Sequence, residues 1–282
     1  MQEWIKKILQ HTGIYHPLQS AYRKYLFSRQ LKINQEKYAP LHGRGFHCNV
    51  CGERYEKFVP SAPAPENEKA LRENAVIAGY GENIFCPNCG SNARERLVIA
   101  IISDDISIKN KRILHLSPEK NIFNFIKKEA LVITSDLEPG FYRDVDQGIQ
   151  SHNITHLGFE NDYFDIIIGN HILEHIPDDA LAMRELFRVL KPGGQAILQV
   201  PYSTKIVSTL ENKDIKNPRQ QSLLFGQKDH VRIYSLNDYV ARLEWAGFIV
   251  AIRPYCQLEH YYINAVQVNE CFLQIKKPSF FQ

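Results

Sequence analysis

The sequence predicts a doubly wound α/β domain with a mostly parallel sheet, preceded by a small cysteine-containing module and a basic helical arm. Three observations predict this arrangement. Residues 1–47 carry eight Lys or Arg against two Glu. Two Cys-x-x-Cys pairs follow at 48–51 and 86–89. From about residue 95, short apolar runs alternate with amphipathic stretches, and strands that alternate with helices favour a parallel sheet.

The composition narrows the class of protein. The chain has 282 residues and is 44% hydrophobic and 23% charged, which excludes disordered, collagen-like and low-complexity proteins. The longest compact apolar run, 97–102, is far shorter than the roughly 18 residues that cross a bilayer. No export signal follows the N-terminal lysines, so we expect a cytoplasmic protein without a transmembrane segment. We expect three units, an arm at 1–42, a module at 43–96 and the α/β domain at 97–282.

The charge is uneven along the chain. Residues 1–47 carry a net charge of +6 within a total of +3, so the remainder is mildly acidic. A basic arm can bind phosphates or an anionic surface. It can equally be a solvated helical extension with apolar anchors, such as Trp4, Ile5, Ile8 and Leu9. Both interpretations stay open, and the sequence indicates no oligomeric state.

The two cysteine pairs predict a structural zinc site. Cys48 and Cys51 form one pair and Cys86 and Cys89 the other, and each pair is followed by glycine. Two residues between thiolates allow one tight turn to direct both sulfur atoms at a tetrahedral cation. Four cysteines fill the zinc coordination sphere and leave no open position for catalysis. A disulfide framework or a redox pair is the alternative, and the absence of an export signal disfavours disulfides.

The α/β domain can be divided in order along the chain. The first strand is predicted at 112–116, followed by Pro118 and a helix, and the second at 131–134, ending at Asp136. The apolar segment 164–168 is typical of a strand buried on both faces of a parallel sheet. The remaining predictions are a helix from Asp178 or Asp179 to Leu190, a strand at 195–200, a helix at 236–245, and strands at 248–252 and 271–275.

Two segments of this domain resemble a known enzyme family. They are Phe164-Asp-Ile-Ile-Ile-Gly-Asn-His-Ile-Leu-Glu-His-Ile-Pro177 and Glu185-Leu-Phe-Arg-Val-Leu-Lys-Pro-Gly-Gly194. Together they resemble class I S-adenosylmethionine-dependent methyltransferases. The cysteine pairs with the segment 86–96, and the segment 225–234, are similar to a bacterial subgroup of these enzymes. The resemblance implies a Rossmann-like sheet of seven strands and S-adenosylmethionine as the methyl donor.

The resemblance also implies where the donor binds. An acid at the end of the second strand, Asp136, is expected to accept hydrogen bonds from the ribose hydroxyls. Asn153 matches a position whose side chain meets the adenine amino group. The residues expected to bind the donor are Leu116, Ser117, Glu119, Asp136, Leu137, Asn153, Ile154, Thr155, Asn170 and His171.

The first turn departs from the family pattern. The family has a glycine-rich turn after the first strand, whereas this chain has His115-Leu-Ser-Pro-Glu-Lys120. Either side chains intrude on the site, or the turn follows another path with Ser117 and Glu119 facing the donor. In the second case Glu119 can pair with the donor's ammonium group.

The catalytic residues are predicted from chemistry and position. Methyl transfer is mainly a matter of alignment, and a base is needed only when the acceptor must lose a proton. The expected catalytic residues are His230, as the base, and His171, which also belongs to the pocket, whereas His175 is expected to be directed toward the sheet. Arg232 can hold an anionic acceptor and Tyr234 can border it. The segment 171–175 also fits the H-x-x-E-H pattern of zinc proteases, but Pro177 interrupts the helix that such a site requires.

These observations predict an enzyme that transfers a methyl group to a hydroxyl, amine or carboxylate of a small or sugar-like acceptor. A catalytically inactive zinc-containing binding protein is one alternative. A nucleic-acid methyltransferase is another, in which Arg94 and Arg96 beside the second cysteine pair contact phosphates. The modest net charge makes nucleic acid the less favoured partner.

Overall fold

The computed structural model describes residues 15–279, so Trp4, Ile5, Ile8 and Leu9 lie outside the described part. The helices are α1 (Tyr15–Tyr38), α2 (Pro65–Glu73), α3 (Ala93–Asp105), α4 (Lys120–Ile126), α5 (Asp179–Val189), α6 (Pro218–Phe225) and α7 (Leu236–Trp245). The strands are β1 (His42–His47), β2 (Arg54–Tyr55), β3 (Val59–Ser61), β4 (Val76–Ile77), β5 (Gly81–Phe85), β6 (Arg112–Leu116), β7 (Leu131–Asp136), β8 (Gln150–Ser151), β9 (Phe164–Ile168), β10 (Leu190–Ile197), β11 (Tyr202–Ser203), β12 (Leu210–Glu211), β13 (Arg232–Ser235), β14 (Ile249–Arg253) and β15 (Phe272–Lys276).

The largest sheet has seven strands in the order β14-β15-β10-β9-β6-β7-β8. Its pairs are parallel except where β15 meets its two neighbours. The predicted doubly wound, mostly parallel sheet of seven strands is therefore confirmed. Strand order reverses between β6 and β9, because the chain proceeds outward in one direction from β6 and in the other from β9. The carboxyl ends of these two strands consequently form the crevice in which such sheets bind ligands.

Both faces of this sheet are covered by apolar side chains. Ile113 and Leu114 are adjacent in β6 and fully buried, and they pack into two different apolar clusters. Successive side chains of a strand point to opposite faces, so this division places one cluster on each side of the sheet. The apolar run 97–102 lies in α3 and is buried in the second cluster. Three of the five residues of β6 are accordingly apolar, including the neighbours Ile113 and Leu114 that face opposite sides.

The helix α3 connects the cysteine module to the sheet. Asn92 caps it by accepting from the Glu95 backbone, while the Glu95 carboxylate accepts from the Asn92 backbone. Arg96 is fully buried and donates to backbone carbonyls on both sides of the junction, including those of Ile84 and Asn264. The helix runs through the predicted boundary at 96/97. Because Arg96 is buried, the expectation that it contacts phosphates is not supported.

The N-terminal part of the described chain is helical and packs on its neighbours by few polar contacts. Arg23 of α1 donates to the Phe141 carbonyl at 3.0 Å, and Gln35 donates to the Asn88 carbonyl at 3.0 Å. A Cβ atom at Gly90 would lie 2.6 Å from the Phe27 ring, so the helix approaches the second cysteine pair closely. Within residues 15–279, no helix combines the length and the apolar character needed to cross a membrane.

Candidate functional site

A cavity of about 560 Å³ lies at the carboxyl ends of β6, β7 and β9. This is the edge of the sheet at which the strand order reverses. The residues that were expected to bind the donor and that line this cavity are Leu116, Ser117, Glu119, Asp136, Leu137, Asn153, Ile154, Asn170 and His171. Thr155 is not among the lining residues. The glycine-free turn therefore leaves the crevice open.

The turn after β6 follows a tight path although it has no glycine. Ser117 has a φ of 43°, in the left-handed region that favours glycine. Its backbone N–H donates to the Ser135 carbonyl at 2.9 Å, and its hydroxyl donates to Asp136 Oδ2 at 2.6 Å. These two hydrogen bonds hold Ser117 against the end of β7. The side chain thus points along the cavity wall rather than across its opening.

Asp136 presents an oriented carboxylate to the cavity. Oδ2 accepts from the Ser117 hydroxyl, and Oδ1 accepts from the backbone N–H of Glu138 at 2.7 Å. A carboxylate oxygen can accept about two hydrogen bonds, so each oxygen keeps one further acceptor position. Two adjacent acceptors held in a fixed plane suit the two hydroxyls of a vicinal diol.

Glu119 lies in the cavity wall between two donors. Its Oε1 accepts from Arg94 Nε and its Oε2 from Asn170 Nδ2, each at 2.9 Å. Arg94 comes from the first turn of α3, and its own side chain also lines the cavity. Arg94 is thus a site residue that sequence reasoning assigned to phosphate contact instead. The cavity contains a carboxylate and a guanidinium side by side, which offers complementary charges to a zwitterionic ligand.

Asn153 lines the cavity but its carbonyl oxygen is already occupied. Oδ1 accepts from the Thr155 backbone N–H at 3.0 Å and from the Thr155 hydroxyl at 2.8 Å. These two bonds use both lone pairs of the amide oxygen. The expectation that this oxygen accepts from an adenine amino group therefore lacks an available acceptor in this conformation.

Three histidines surround a buried glutamate at the side of the cavity near β9. Glu174 Oε1 lies 3.6 Å from His171 Nδ1, 3.9 Å from His175 Nε2 and 4.0 Å from His230 Nε2. Burial raises the pKa of Glu174 to about 7 and lowers the pKa of His230 to about 4. Burial also holds the pKa of His171 well below its usual value, so this imidazole is neutral at pH 7. His171 adopts a φ of 54°, the second left-handed residue at the cavity.

The histidines that line the cavity are not the ones expected from the sequence. His175, which was expected to face the sheet, lines the cavity together with His171. His230 was expected to be the base, but it is only 6% exposed and lies behind His175 in an edge-to-face ring contact. His230 therefore has no direct path to a ligand in the cavity.

Arg232 and Tyr234 do not reach the cavity, contrary to their expected role in acceptor binding. Both are fully buried in β13. Arg232 donates to the carbonyls of Leu173, Ile176 and Pro177, and the Tyr234 hydroxyl donates to Asp179. These bonds hold the turn that carries Glu174 and His175, on the side of the turn away from the cavity. The two side chains do not reach the cavity because they lie on a buried strand, and the spacing in the sequence alone did not reveal this.

The four cysteines of the module converge on one point. Cys48 Sγ lies 3.6 Å from Cys89 Sγ, and Cys51 Sγ lies 3.8 Å from Cys86 Sγ. Four thiolates arranged tetrahedrally at a Zn–S distance of about 2.3 Å have sulfur atoms about 3.8 Å apart, so the geometry fits zinc.

The two cysteine turns have the same backbone. Gly52 and Gly90 donate to the carbonyls of Cys48 and Cys86, with φ values of 79° and 71°. Left-handed backbone of this kind explains the glycine after each pair.

The other two cysteines differ from each other. Cys271 is buried directly before β15, whereas Cys256 is exposed.

The comparisons with known proteins place part of the chain in a family. Residues 124–198 match the family model described as "Methyltransferase domain". The ubiquinone/menaquinone biosynthesis C-methyltransferase UbiE of Vibrio campbellii is 41% identical over 58 residues, which is 21% of this chain and 22% of that protein. The enzyme of the same name from Proteus mirabilis is 41% identical, over 21% of this chain and 23% of that protein. The chain thus matches about a fifth of the length of these relatives.

Two solved structures are similar to the chain at low sequence identity. An S-adenosylmethionine-dependent methyltransferase from Mesorhizobium loti has a TM-score of 0.46 and 15% identity, over 65% of this chain and 96% of that one. The [4+2]-cyclase SpnF has a TM-score of 0.48 and 13% identity, over 79% of this chain and 100% of that one. Neither likeness bears on activity. The family match at 124–198 confirms the predicted methyltransferase class for this segment of the chain.

Proposed function

We propose that the protein transfers a methyl group from S-adenosylmethionine, bound in the cavity at the strand-order reversal, to a small-molecule acceptor. The observation that carries this proposal is the Asp136 carboxylate, which Ser117 and the Glu138 backbone hold at the cavity with acceptor positions to spare for a ribose diol. The cavity volume of about 560 Å³ is in the range of pockets for ligands of this size. Free cysteine pairs are consistent with the cytoplasm as its location.

The cavity residues suit the donor's two ends. The methionine end carries an ammonium and a carboxylate, which match Glu119 and Arg94 respectively. Asn170 holds Glu119 from the other side and so fixes this pair. The donor, when bound, supplies an electrophilic methyl group on a sulfonium. The chain's own contribution is to orient it and to exclude water.

His171 is the base we propose for an acceptor that must lose a proton. It lines the cavity and is neutral at pH 7, and Glu174 lies 3.6 Å from its Nδ1 and can stabilise the imidazolium that proton transfer produces. His230 acts at most through His175 and is a positioning residue in this scheme. The acceptor is proposed as a hydroxyl, amine or carboxylate. The C-methyltransferases that match a short segment of this chain make carbon a further candidate atom.

We further propose that the four-cysteine cluster holds structural zinc, since its sulfur spacing fits a tetrahedral ion. The second alternative, a nucleic-acid enzyme, loses its proposed contacts because Arg96 is buried and Arg94 lies in the wall of the donor cavity. The basic side chains of α1 are exposed and are the surface that a nucleic acid would contact.

Calorimetry with S-adenosylmethionine and S-adenosylhomocysteine tests the donor site. We expect both to bind the wild-type protein, and Asp136→Ala to weaken binding at least tenfold, because a charge-assisted contact contributes roughly 1.5–3 kcal/mol. Asp144→Ala is the matched control, since Asp144 is an exposed acid outside the cavity lining. Absence of binding heat with a correctly folded wild-type protein would favour the inactive binding protein instead.

A further inference from the structure

Glu174 is an unusual buried acid. Its side chain is 1% exposed, and neither carboxylate oxygen has a hydrogen-bond partner within the described residues. A buried polar group without a partner costs roughly 1–3 kcal/mol, and more when it is charged. Within residues 15–279, the groups nearest to its Oε1 include three imidazole nitrogens at 3.6 to 4.0 Å, beyond hydrogen-bond distance. Both oxygens of this carboxylate are therefore unpaired within the described residues, although three imidazole nitrogens lie close to Oε1.

The surrounding ligand atoms have the spacing of a metal centre. Glu174, His175 and His230 each offer one nitrogen or oxygen atom, and these atoms all lie within 4.8 Å of one another. Around zinc, nitrogen and oxygen ligands at about 2.1 Å are about 3.4 Å apart in a tetrahedral arrangement. The observed separations of 3.9 and 4.0 Å from Glu174 Oε1 thus need a contraction of roughly half an ångström. Metal binding therefore requires the side chains to rotate inward by this amount.

The outer partners direct the imidazoles inward. His175 Nδ1 lies 3.2 Å from the Asp229 carbonyl, which fixes the proton on Nδ1 and leaves the Nε2 lone pair facing Glu174. A histidine held by a carbonyl on one nitrogen is the usual arrangement when the other nitrogen binds a metal. Arg232 fixes the turn of Glu174 through three carbonyls.

We propose that Glu174, His175 and His230 form a binding site for one divalent transition-metal ion, separate from the four-cysteine cluster. Two imidazoles and one carboxylate favour Zn²⁺, Fe²⁺ or Mn²⁺ over Mg²⁺ and Ca²⁺. Three protein ligands leave coordination positions open, and His175 places them toward the cavity. An oxygen of the methyl acceptor can occupy one of these positions, and that last point alone rests on the proposed function.

The test is Co²⁺ binding to the full-length protein purified with zinc in its cysteine cluster. We expect one Co²⁺ per chain in addition to the zinc, measured by equilibrium dialysis and metal analysis. Its visible spectrum should lack the intense thiolate charge-transfer absorption of cysteine-bound cobalt. Glu174→Gln and His230→Gln should each weaken Co²⁺ binding at least about tenfold while the zinc content is unchanged. This readout does not depend on the methyl donor, so failure of the donor site leaves the result intact.

His152→Gln is the matched control, because His152 lines the same cavity outside the cluster and should leave Co²⁺ binding unchanged. If the buried substitutions prevent folding, His175→Gln replaces them, since His175 is partly exposed and its loss leaves the core intact. The proposal is overturned if the wild type binds no second metal ion. It is equally overturned if folded variants of the cluster bind Co²⁺ as the wild type does, or if His152→Gln weakens binding as much.

Discussion

Two residues at the cavity hold backbone conformations that normally favour glycine. They are Ser117 and His171, with φ values of 43° and 54°. Each follows or nearly follows the end of a central strand and faces the cavity. Left-handed backbone costs a non-glycine residue roughly 1 kcal/mol. Contacts with the surrounding structure therefore have to compensate for this cost at both residues. In Ser117 the compensation is visible, because its hydroxyl orients Asp136.

Substitutions at Ser117 should reverse the usual order of alanine and glycine. Ser117→Ala keeps the strained φ and loses the hydrogen bond to Asp136, so we expect a loss of about 1–2 kcal/mol in the free energy of unfolding. Ser117→Gly loses the same bond but relieves the strain, so it should be the more stable of the two by several tenths of a kcal/mol or more. Urea denaturation measures both. An alanine variant at least as stable as the glycine variant would contradict the left-handed conformation.

A second buried acid predicts a pH dependence of stability. Burial raises the pKa of Glu270 to about 7, well above the value of an unfolded glutamate. The folded state therefore holds this proton more tightly, and its contribution to stability is present at low pH and is lost as the pH rises from about 4.5 to 7.

Glu270→Gln should remove this pH dependence, because a glutamine side chain does not titrate. The variant should gain stability relative to the wild type across that interval, by up to roughly 3 kcal/mol. Denaturation at a series of pH values checks this, and Glu244→Gln on the exposed face of α7 is the control. A difference between Glu270→Gln and wild type that stays constant with pH would show that the carboxyl group does not titrate in this way.

At the scale of elements, the strand β13 supports the turn that carries Glu174. Arg232 donates to three carbonyls at the end of that turn and pairs with Glu211. Replacing it by Met removes the side-chain donor to the partly buried carbonyls of Ile176 and Pro177 and one of the donors to the buried Leu173 carbonyl. We expect Arg232→Met to lower the free energy of unfolding by about 3 kcal/mol or more, measured in urea.

Arg44→Met is the control for this substitution. Arg44 forms an ion pair with Glu56 on the surface, where its side chain is 74% exposed, so its loss should change stability by no more than about 0.5 kcal/mol. Equal losses in the two variants would mean that the Arg232 hydrogen bonds do not stabilise the turn.

At the scale of the whole molecule, the cavity is assembled from two parts of the chain. Arg94 lies on α3, which follows the second cysteine pair. Its partner Glu119 lies in the turn after β6. The cap of α3 by Asn92 lies directly between the cysteines and Arg94. The state of the cysteine module should therefore affect the donor site.

Loss of zinc should weaken donor binding. Cys86→Ser should abolish the zinc content measured by metal analysis, and it should lower the affinity for S-adenosylmethionine several-fold because Arg94 is no longer fixed beside Glu119. Cys256→Ser is the control, since Cys256 is exposed and outside the cluster. Full donor affinity in a folded, zinc-free Cys86→Ser protein would show that the module and the cavity are independent.

Local patterns in the sequence predicted what depends on neighbours along the chain. The apolar run of β9, the Lys-Pro-Gly-Gly end of α5 and the two cysteine turns are each specified within about ten residues, and the structure contains all of them. The strand β10 begins earlier than predicted, at Leu190, with an irregularity in its register before Gln195. Periodicity does not reveal such an irregularity, because it arises from pairing with another strand.

The sequence by itself determined the alternation of strands and helices, the two cysteine pairs and the acid at the end of β7, since each depends on residue type and short spacing. Only the tertiary structure decided which side chains reach the cavity. It placed Arg94 and His175 in the wall and buried Arg232, Tyr234 and His230 behind it. These positions depend on the packing of segments that are distant in sequence, and such packing leaves no periodic signal in the residues it brings together.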